Sequence, residues 1–229
     1  MRFEYFLFDL DNCLLQIPNP GEYFDKILIS TLKRLSAKII PVREDRKNFW
    51  SSGDNYIDLL KNWKISDINN FWLHFDEIDF KNRKLLTEKK ELNLYLDVKD
   101  VLEKLSNETN NKLAIISNTA DYIVEYILTH FSIKQFFHES FSLGSDKNQA
   151  LAKPSPSGIL QVLDKLNYDS KRYNAIMVGD SMLDIIAAKR ANIKACLIKR
   201  DLNKYPDGIN HWESQPDYVI FQLDELFNL

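Results

Sequence analysis

Short apolar runs, each followed by a helix-like pattern, constrain the fold of this 229-residue chain more than any other feature. The runs are Phe3–Phe8, Leu113–Ile116, Ala175–Val178, Ala195–Ile198 and Tyr218–Phe221, with His138–Leu143 as a further candidate. A strand apolar on both faces has to be covered on both. Alternation with helices therefore predicts a buried parallel sheet built from βα units, an α/β fold. Apolar residues at i, i+3, i+4 spacing predict helices over Val98–Leu105, Tyr122–Phe131, Gly158–Leu166 and Leu183–Ala191.

The interval 17–85 breaks that rhythm. It reads as helices (Tyr23–Lys38, Arg43–Trp50, Tyr56–Trp63, Ser66–Asp76) with no strand between them. A βα connection normally takes a few residues, so a stretch this long directly after the first strand predicts a helical insertion. The expected division is a core of 1–16 and 86–229, and a helical domain of 17–85.

Composition closes off several classes. Apolar residues make up 45% and charged residues 28% of the chain, with only 6 Gly and 7 Pro, which excludes global disorder and collagen-like or linker-like chains. A net charge of −3 argues against a dedicated nucleic-acid binder, which is usually basic. No segment approaches the roughly 18 to 20 apolar residues of a membrane span. Acidic residues Glu4, Asp9 and Asp11 interrupt the first apolar run, as they would not in a signal peptide. Cys13 and Cys196 form no CxxC pair and are too few for a disulfide framework, so a cytoplasmic, reducing home is expected.

The chemistry-bearing residues gather where strands end. The first strand exits through Phe8-Asp9-Leu10-Asp11-Asn12, and a period of two sends Asp9 and Asp11 to the same side. In a parallel sheet the carboxyl ends of the strands are where ligands bind. Two carboxylates this close repel, so one holds a proton or both share a cation; an Asp-rich turn is the plain alternative. A later strand ends in Val178-Gly179-Asp180-Ser181-Met182-Leu183-Asp184, where Gly179 permits close backbone approach and Asp184 follows Asp180 by one helical turn. A helix N-cap accounts for one of these two acids but not both. Four carboxylates at two strand ends form a hard-cation site of the kind that takes Mg²⁺.

Ile116-Ser117-Asn118-Thr119 places a hydroxyl and backbone N–H groups before a helix, an arrangement suited to phosphate and equally to routine capping. Lys153, set before Pro154 and Pro156 and just ahead of a helix, is placed to aim an ammonium at an anion; surface lysines before prolines are also common. Asp9, Asp11, Asp180 and Asp184 together carry up to four negative charges, which repel a phosphate dianion. One Mg²⁺ and Lys153 leave a single charge, and a proton on Asp11 removes it. A carboxylate nucleophile attacking phosphorus, with metal and lysine holding the charge on the oxygens, is the chemistry this combination suits.

Four motifs in this order (Asp9-Leu10-Asp11-Asn12-Cys13-Leu14, Ser117-Asn118, Lys153-Pro154 and Gly179-Asp180-Ser181-Met182-Leu183-Asp184) resemble those of the haloacid dehalogenase-like (HAD) hydrolase superfamily. The resemblance covers 1–16 and 86–229, including the closing Pro216–Ile220 strand and the Leu223–Leu226 helix, and implies a Rossmann-like core. It further implies that Asp9 is the nucleophile, forming an aspartyl-phosphate, and that Asp11 is the general acid and then base. Mg²⁺ would be held by the Asp9 side chain, the Asp11 carbonyl and Asp180, with Asp184 in support. Ser117, the Asn118 amide and Lys153 would hold the phosphoryl oxygens. Cys13 stands where relatives usually have Thr or Val, a packing position with a reactive thiol as the alternative.

Asp11 favours a phosphatase over a dehalogenase, because a halide leaves without a proton and an alkoxide does not. The insertion is similar to the superfamily's helical cap, which closes over the site and contacts substrate. The turn Ser51-Ser52-Gly53-Asp54-Asn55 is the expected substrate-facing loop, with Arg43, Arg46, Trp50, Asn55 and Tyr56 as candidate contacts. Three of the four tryptophans lie in this insertion, where packing a small bundle is reason enough for them. The expected activity is Mg²⁺-dependent hydrolysis of a small phosphorylated metabolite, on the lines of pyrimidine 5′-nucleotidases or phosphoglycolate phosphatases. A sugar phosphomutase and a catalytically silent binding protein on the same fold are the alternatives.

Overall fold

The computed structural model describes residues 2–50, 52, 55–144 and 149–229. The chain divides into two compact units, one of Met1–Gln16, Leu94–Leu143 and Leu151–Leu229, the other of Ile17–Asn93 and Gly144–Ala150.

The first unit is a six-stranded, wholly parallel sheet. Its strands are β1 (Tyr5–Phe8), β4 (Lys112–Ser117), β5 (Glu139–Ser142), β6 (Ala175–Gly179), β7 (Lys194–Ile198) and β8 (Tyr218–Ile220), in the order β5-β4-β1-β6-β7-β8. Burial explains the order. All residues of β1 and β6 are buried, as befits central strands covered on both faces, whereas Ser140 and Val219 lie exposed on the edge strands β5 and β8. Short strands β2 (Leu15–Gln16) and β3 (Asn93–Leu94) make a separate two-stranded sheet.

Helices α5 (Val98–Asn107), α6 (Asp121–His130), α7 (Ser157–Lys165) and α8 (Met182–Arg190) cover the six-stranded sheet on both sides. Each buries a stripe set by the helical period: Val98, Val101, Leu102 and Leu105 in α5, and Ile123, Val124, Ile127 and Leu128 in α6. Tyr5 and Leu7 join Ile159, Val162, Ile185 and Ala188 in one core layer. Gly158 lets α7 approach β5 closely, since a Cβ there would lie 2.5 Å from the Phe141 ring. The closing helix implied by the resemblance at Leu223–Leu226 is a 3₁₀ helix that runs over Leu223–Asn228.

The second unit contains α1 (Pro20–Arg34), α2 (Arg43–Phe49), α3 (Tyr56–Asn62) and α4 (Phe71–Glu88). Its end differs from the expected 85 because α4 runs unbroken to Glu88. There Lys90 takes a positive φ and Glu91 N–H bonds back to Leu86 O, which stops the helix. The expected Ser66–Asp76 helix starts only at Phe71; Asp67 instead accepts bonds from the Asn70 side chain, holding a turn ahead of it. The core of the unit is aromatic: Phe49 contacts Trp50, Tyr56, Trp63, Phe71 and Trp72. Arg83, fully buried, pairs with Asp79, which also accepts from the Tyr23 hydroxyl and so links α4 to α1. Among the described residues no helix is long and apolar enough to cross a membrane.

A bidentate pair joins α2 to α1: Arg46 Nε and Nη2 each donate to Asp25 at 2.7 Å, and Nη1 donates to Pro41 O. The hydrogen bonds from Arg46 hold the Asp25 carboxyl below the usual carboxylate range. A carboxylate depressed by folding adds stability above its unfolded pKa of about 3.9, and that stability is lost as pH falls through the folded value. Arg46→Met should therefore lower unfolding stability by about 1 kcal/mol at neutral pH. The deficit should shrink in acid; an equal deficit at pH 7 and pH 3 in urea titrations would count against this account.

Candidate active site

The site is built where β1 and β6 end side by side. Their parallel register pairs Phe8 with Val178, and Asp9 N–H extends the ladder by donating to Val178 O at 2.9 Å. Asp9 therefore emerges beside Gly179 and Asp180. Gly179 leaves room that no other residue would, since a Cβ there would lie 2.2 Å from Asp184 Cγ. Ser181 starts α8, and its N–H and hydroxyl both donate to Asp184 Oδ2 (3.0 and 2.5 Å), folding the Asp184 carboxylate back over the strand end. Oxygens of Asp9, Asp180 and Asp184 all lie within 4.8 Å of one another, and all three residues are buried.

Lys153 supplies positive charge at the centre. Its Nζ donates to Asp9 Oδ1 (2.5 Å), Asp184 Oδ1 (2.6 Å) and Ile116 O (2.9 Å), so each of the three ammonium hydrogens has an acceptor. Asn118 clamps the backbone of that lysine: Asn118 Nδ2 donates to Lys153 O, and Lys153 N–H donates to Asn118 Oδ1. The end of β4 is thereby fixed to the loop that aims the ammonium. Ser117, 2% exposed, accepts the Thr119 N–H at 3.1 Å and donates its own hydrogen to no described residue.

Asp11 has a different setting. β1 stops at Phe8, so a strand period no longer applies, and Asn12 turns the chain with a φ of 60°. Leu15 N–H then closes the turn on Leu10 O. Asp11 sits half-buried on this turn and accepts the Thr119 hydroxyl at 2.9 Å. The carboxylate cluster thus has three members where the sequence suggested four.

Burial pushes the Asp9 carboxyl up, opposed by Lys153 and reinforced by Asp184 and Asp180. Burial also raises Asp180, against the pull of Lys204. Burial would lower Lys153, but Asp184 and Asp9 hold its ammonium above the ordinary lysine value. The hard oxygen donors of Asp9, Asp180 and Asp184, gathered within 4.8 Å of one another, fit a divalent cation. Cys13 is buried and its thiol lies well above the ordinary range, chiefly through burial. That favours the packing role over a reactive thiol.

Several partners have no local signal in the sequence. Lys204 Nζ donates to Asp180 Oδ2 (2.5 Å) and Asp180 O (3.0 Å), and Tyr205 OH donates to the same carbonyl. Arg200 holds the Asp11 turn: Nε donates to Cys13 O, the two Nη groups grip Asp97, and the guanidinium lies 4.2 Å over the Tyr95 ring. Thr119 lies within the Ile116–Thr119 stretch at the end of β4, but its bond to Asp11 is a tertiary contact.

The suggested substrate contacts of the insertion belong to the second unit. Arg46 is engaged by Asp25. Trp50 packs on Phe24 and Phe75, and Tyr56 packs on Trp72. Arg43 and Asn55 are exposed. Ser51, Gly53 and Asp54 of the expected substrate-facing turn lie outside the described residues.

A phosphoglycolate phosphatase from Vibrio parahaemolyticus is 31% identical over 140 residues, 59% of this chain and 56% of that protein. A pyrophosphatase, PpaX, from Oceanobacillus iheyensis is 28% identical over 133 residues, 58% of each. The chain spans about half the length of the curated relatives it matches. The crystal structure of CbbY from Rhodobacter sphaeroides in complex with phosphate shares the fold, with a TM-score of 0.72 at 18% identity over 98% of this chain and 96% of that one. The family model described as haloacid dehalogenase-like hydrolase matches residues 6–198. With its sheet order, its strand-end carboxylates and this match, the chain belongs to the haloacid dehalogenase-like hydrolase family.

Proposed function

We propose that this protein is a Mg²⁺-dependent phosphatase that hydrolyses a small phosphorylated metabolite through an aspartyl-phosphate on Asp9. The observation that carries this reading is the setting of Asp9. Lys153 binds one of its oxygens, and among the described residues the other accepts no hydrogen bond. An oriented carboxylate with one oxygen unspent is a nucleophile held ready.

Asp9 attacks phosphorus while the bond to the leaving oxygen breaks, and Asp11 gives that oxygen its proton. A water then attacks the phosphoryl group and loses its proton to Asp11, which frees inorganic phosphate and restores Asp9. The Thr119 hydroxyl orients the Asp11 carboxylate for both transfers. The Ser117 hydroxyl and the Asn118 backbone amide hold phosphoryl oxygens, and Lys153 balances the charge of the nucleophile. Asp9, Asp180 and the Asp11 carbonyl would hold Mg²⁺, with Asp184 supporting the shell; when bound, the ion supplies positive charge to the transferring oxygens.

The helical segment 17–85, with the residues that extend it to Asn93, serves as the cap that selects the substrate, and Arg43, Trp50, Asn55 and Tyr56 are its candidate contacts. Relatives named for phosphoglycolate and pyrophosphate point to a small anion as substrate. Two buried free cysteines suit a reducing cytosol.

Asp9→Asn should reduce hydrolysis of p-nitrophenyl phosphate by at least about 10³-fold, with the circular dichroism spectrum unchanged; retained turnover excludes the aspartyl-phosphate. Treatment with EDTA should abolish phosphate release, and added Mg²⁺ should restore it; resistance to the chelator would remove the metal from the reaction. A panel including 2-phosphoglycolate, pyrophosphate, nucleoside monophosphates and sugar phosphates, read by released phosphate, should identify the substrate. An isomerised sugar phosphate without phosphate release would mark a mutase instead.

A further inference from the structure

The two lysines at the carboxylate cluster are held in different ways. Lys153 is 7% exposed, and all three of its hydrogens are spent on Asp9, Asp184 and Ile116 O. Lys204 belongs to the segment between β7 and β8, and its side chain is 35% exposed. Its ammonium contacts Asp180 alone among the described acidic groups, through one carboxylate oxygen and the backbone carbonyl. The segment does not depend on this contact for its position. Tyr205 OH donates to Asp180 O, and the Tyr205 ring packs edge-on against buried Trp212 at 4.8 Å.

Together the two ammonium groups neutralise two of the three clustered carboxylates. A divalent cation at the cluster needs an Asp180 oxygen and brings two positive charges close to both lysines. Lys153 has no path out. The Lys204 side chain is one-third exposed, and a cation that takes its place on Asp180 offsets the loss of that buried carboxylate's partner, so its ammonium can pass into solvent. We propose that Lys204 is the resident counter-ion of Asp180 in the metal-free protein, that an entering divalent cation displaces it, and that this competition sets the metal affinity. The inference rests on the reading of Asp9 and Asp180 as metal ligands.

Two measurements test it, with Mg²⁺ alone as the probe. In native protein, acetylation of Lys204 by acetic anhydride, followed by mass spectrometry at fixed pH and ionic strength, should accelerate several-fold when saturating MgCl₂ replaces NaCl. In Lys204→Met, the Mg²⁺ dissociation constant, taken from calorimetry and from the Mg²⁺-dependent rise in unfolding temperature, should fall about tenfold. An unchanged or slower acetylation rate, or Mg²⁺ affinity that is unchanged or weaker in the variant, overturns the proposal. If wild-type protein shows no Mg²⁺ response by either method, the metal reading itself fails. If wild type responds and the variant matches it, only the role of Lys204 falls.

Discussion

A lysine ammonium shared between Asp9 and Asp184 is the contact on which the rest of the site depends. β1 and β6 are adjacent and parallel, so their carboxyl ends bring acidic residues together in a buried place where water cannot screen them. Without a cation those carboxylates would have to take up protons or force the strands apart. Lys153 answers that need, and the surrounding features serve to place it. Asn118 clamps its backbone, Ile116 takes its third hydrogen, and Gly179 with Ser181 brings Asp184 within reach. A buried ion pair of this kind is costly to desolvate and gives little net stability. Its return lies in orientation: it leaves a charged, aligned carboxylate on a rigid strand end.

Asp11 shows the complementary design. It sits half-buried on a turn after the strand, where the proton donor and acceptor proposed above can meet both substrate and water. A turn alone would not hold it still. Thr119 fixes the carboxylate from the end of β4, and Arg200 fixes the backbone through Cys13 O. Arg200 is in turn braced by Asp97, whose second role is to accept the Leu223 N–H at the start of the C-terminal 3₁₀ helix. The turn that carries Asp11 is thus braced from separate parts of the chain, and its carboxylate is held by Thr119.

What could be read from the sequence follows from which interactions are local. The central strands were legible because residues such as Phe6-Leu7-Phe8 and Ile176-Met177-Val178 are apolar on both faces, and so short a run of that kind suits a strand covered on both sides. Asp9 and Asp180 were legible because each stands in a short motif at a strand end, and Lys153 because prolines set it just ahead of a helix. Helix α4 hid its length. Asp79 and Arg83 interrupt its apolar stripe with a buried ion pair, and only the fold reveals that they satisfy one another. The two-residue period that linked Asp9 to Asp11 does not describe this segment, because β1 ends at Phe8 and Asp11 stands on the turn that follows. Arg46 looked available for substrate because its partner, Asp25, lies a helix away. Lys204 carries no motif at all, and Thr119 stands in the Ile116–Thr119 stretch, whose spacing gives no hint of Asp11, since each meets its carboxylate through tertiary contact.

Lys204 alters the electrostatic account most. Counted from the sequence, the acidic cluster had one lysine and required a metal to approach neutrality. Counted in three dimensions, it holds two lysines, and three clustered carboxylates are left with a single uncompensated charge. Two lysines let three buried carboxylates fold together, which a bare group of buried acids could not do. The two cations then divide the work by burial. Lys153, enclosed and fully bonded, keeps Asp9 oriented whether or not metal is present. Lys204, partly in solvent and bonded to Asp180 alone among the described acidic groups, balances that carboxylate until a divalent ion takes its place. Folding and metal loading place opposite demands on the same carboxylates, and a lysine that can leave reconciles them.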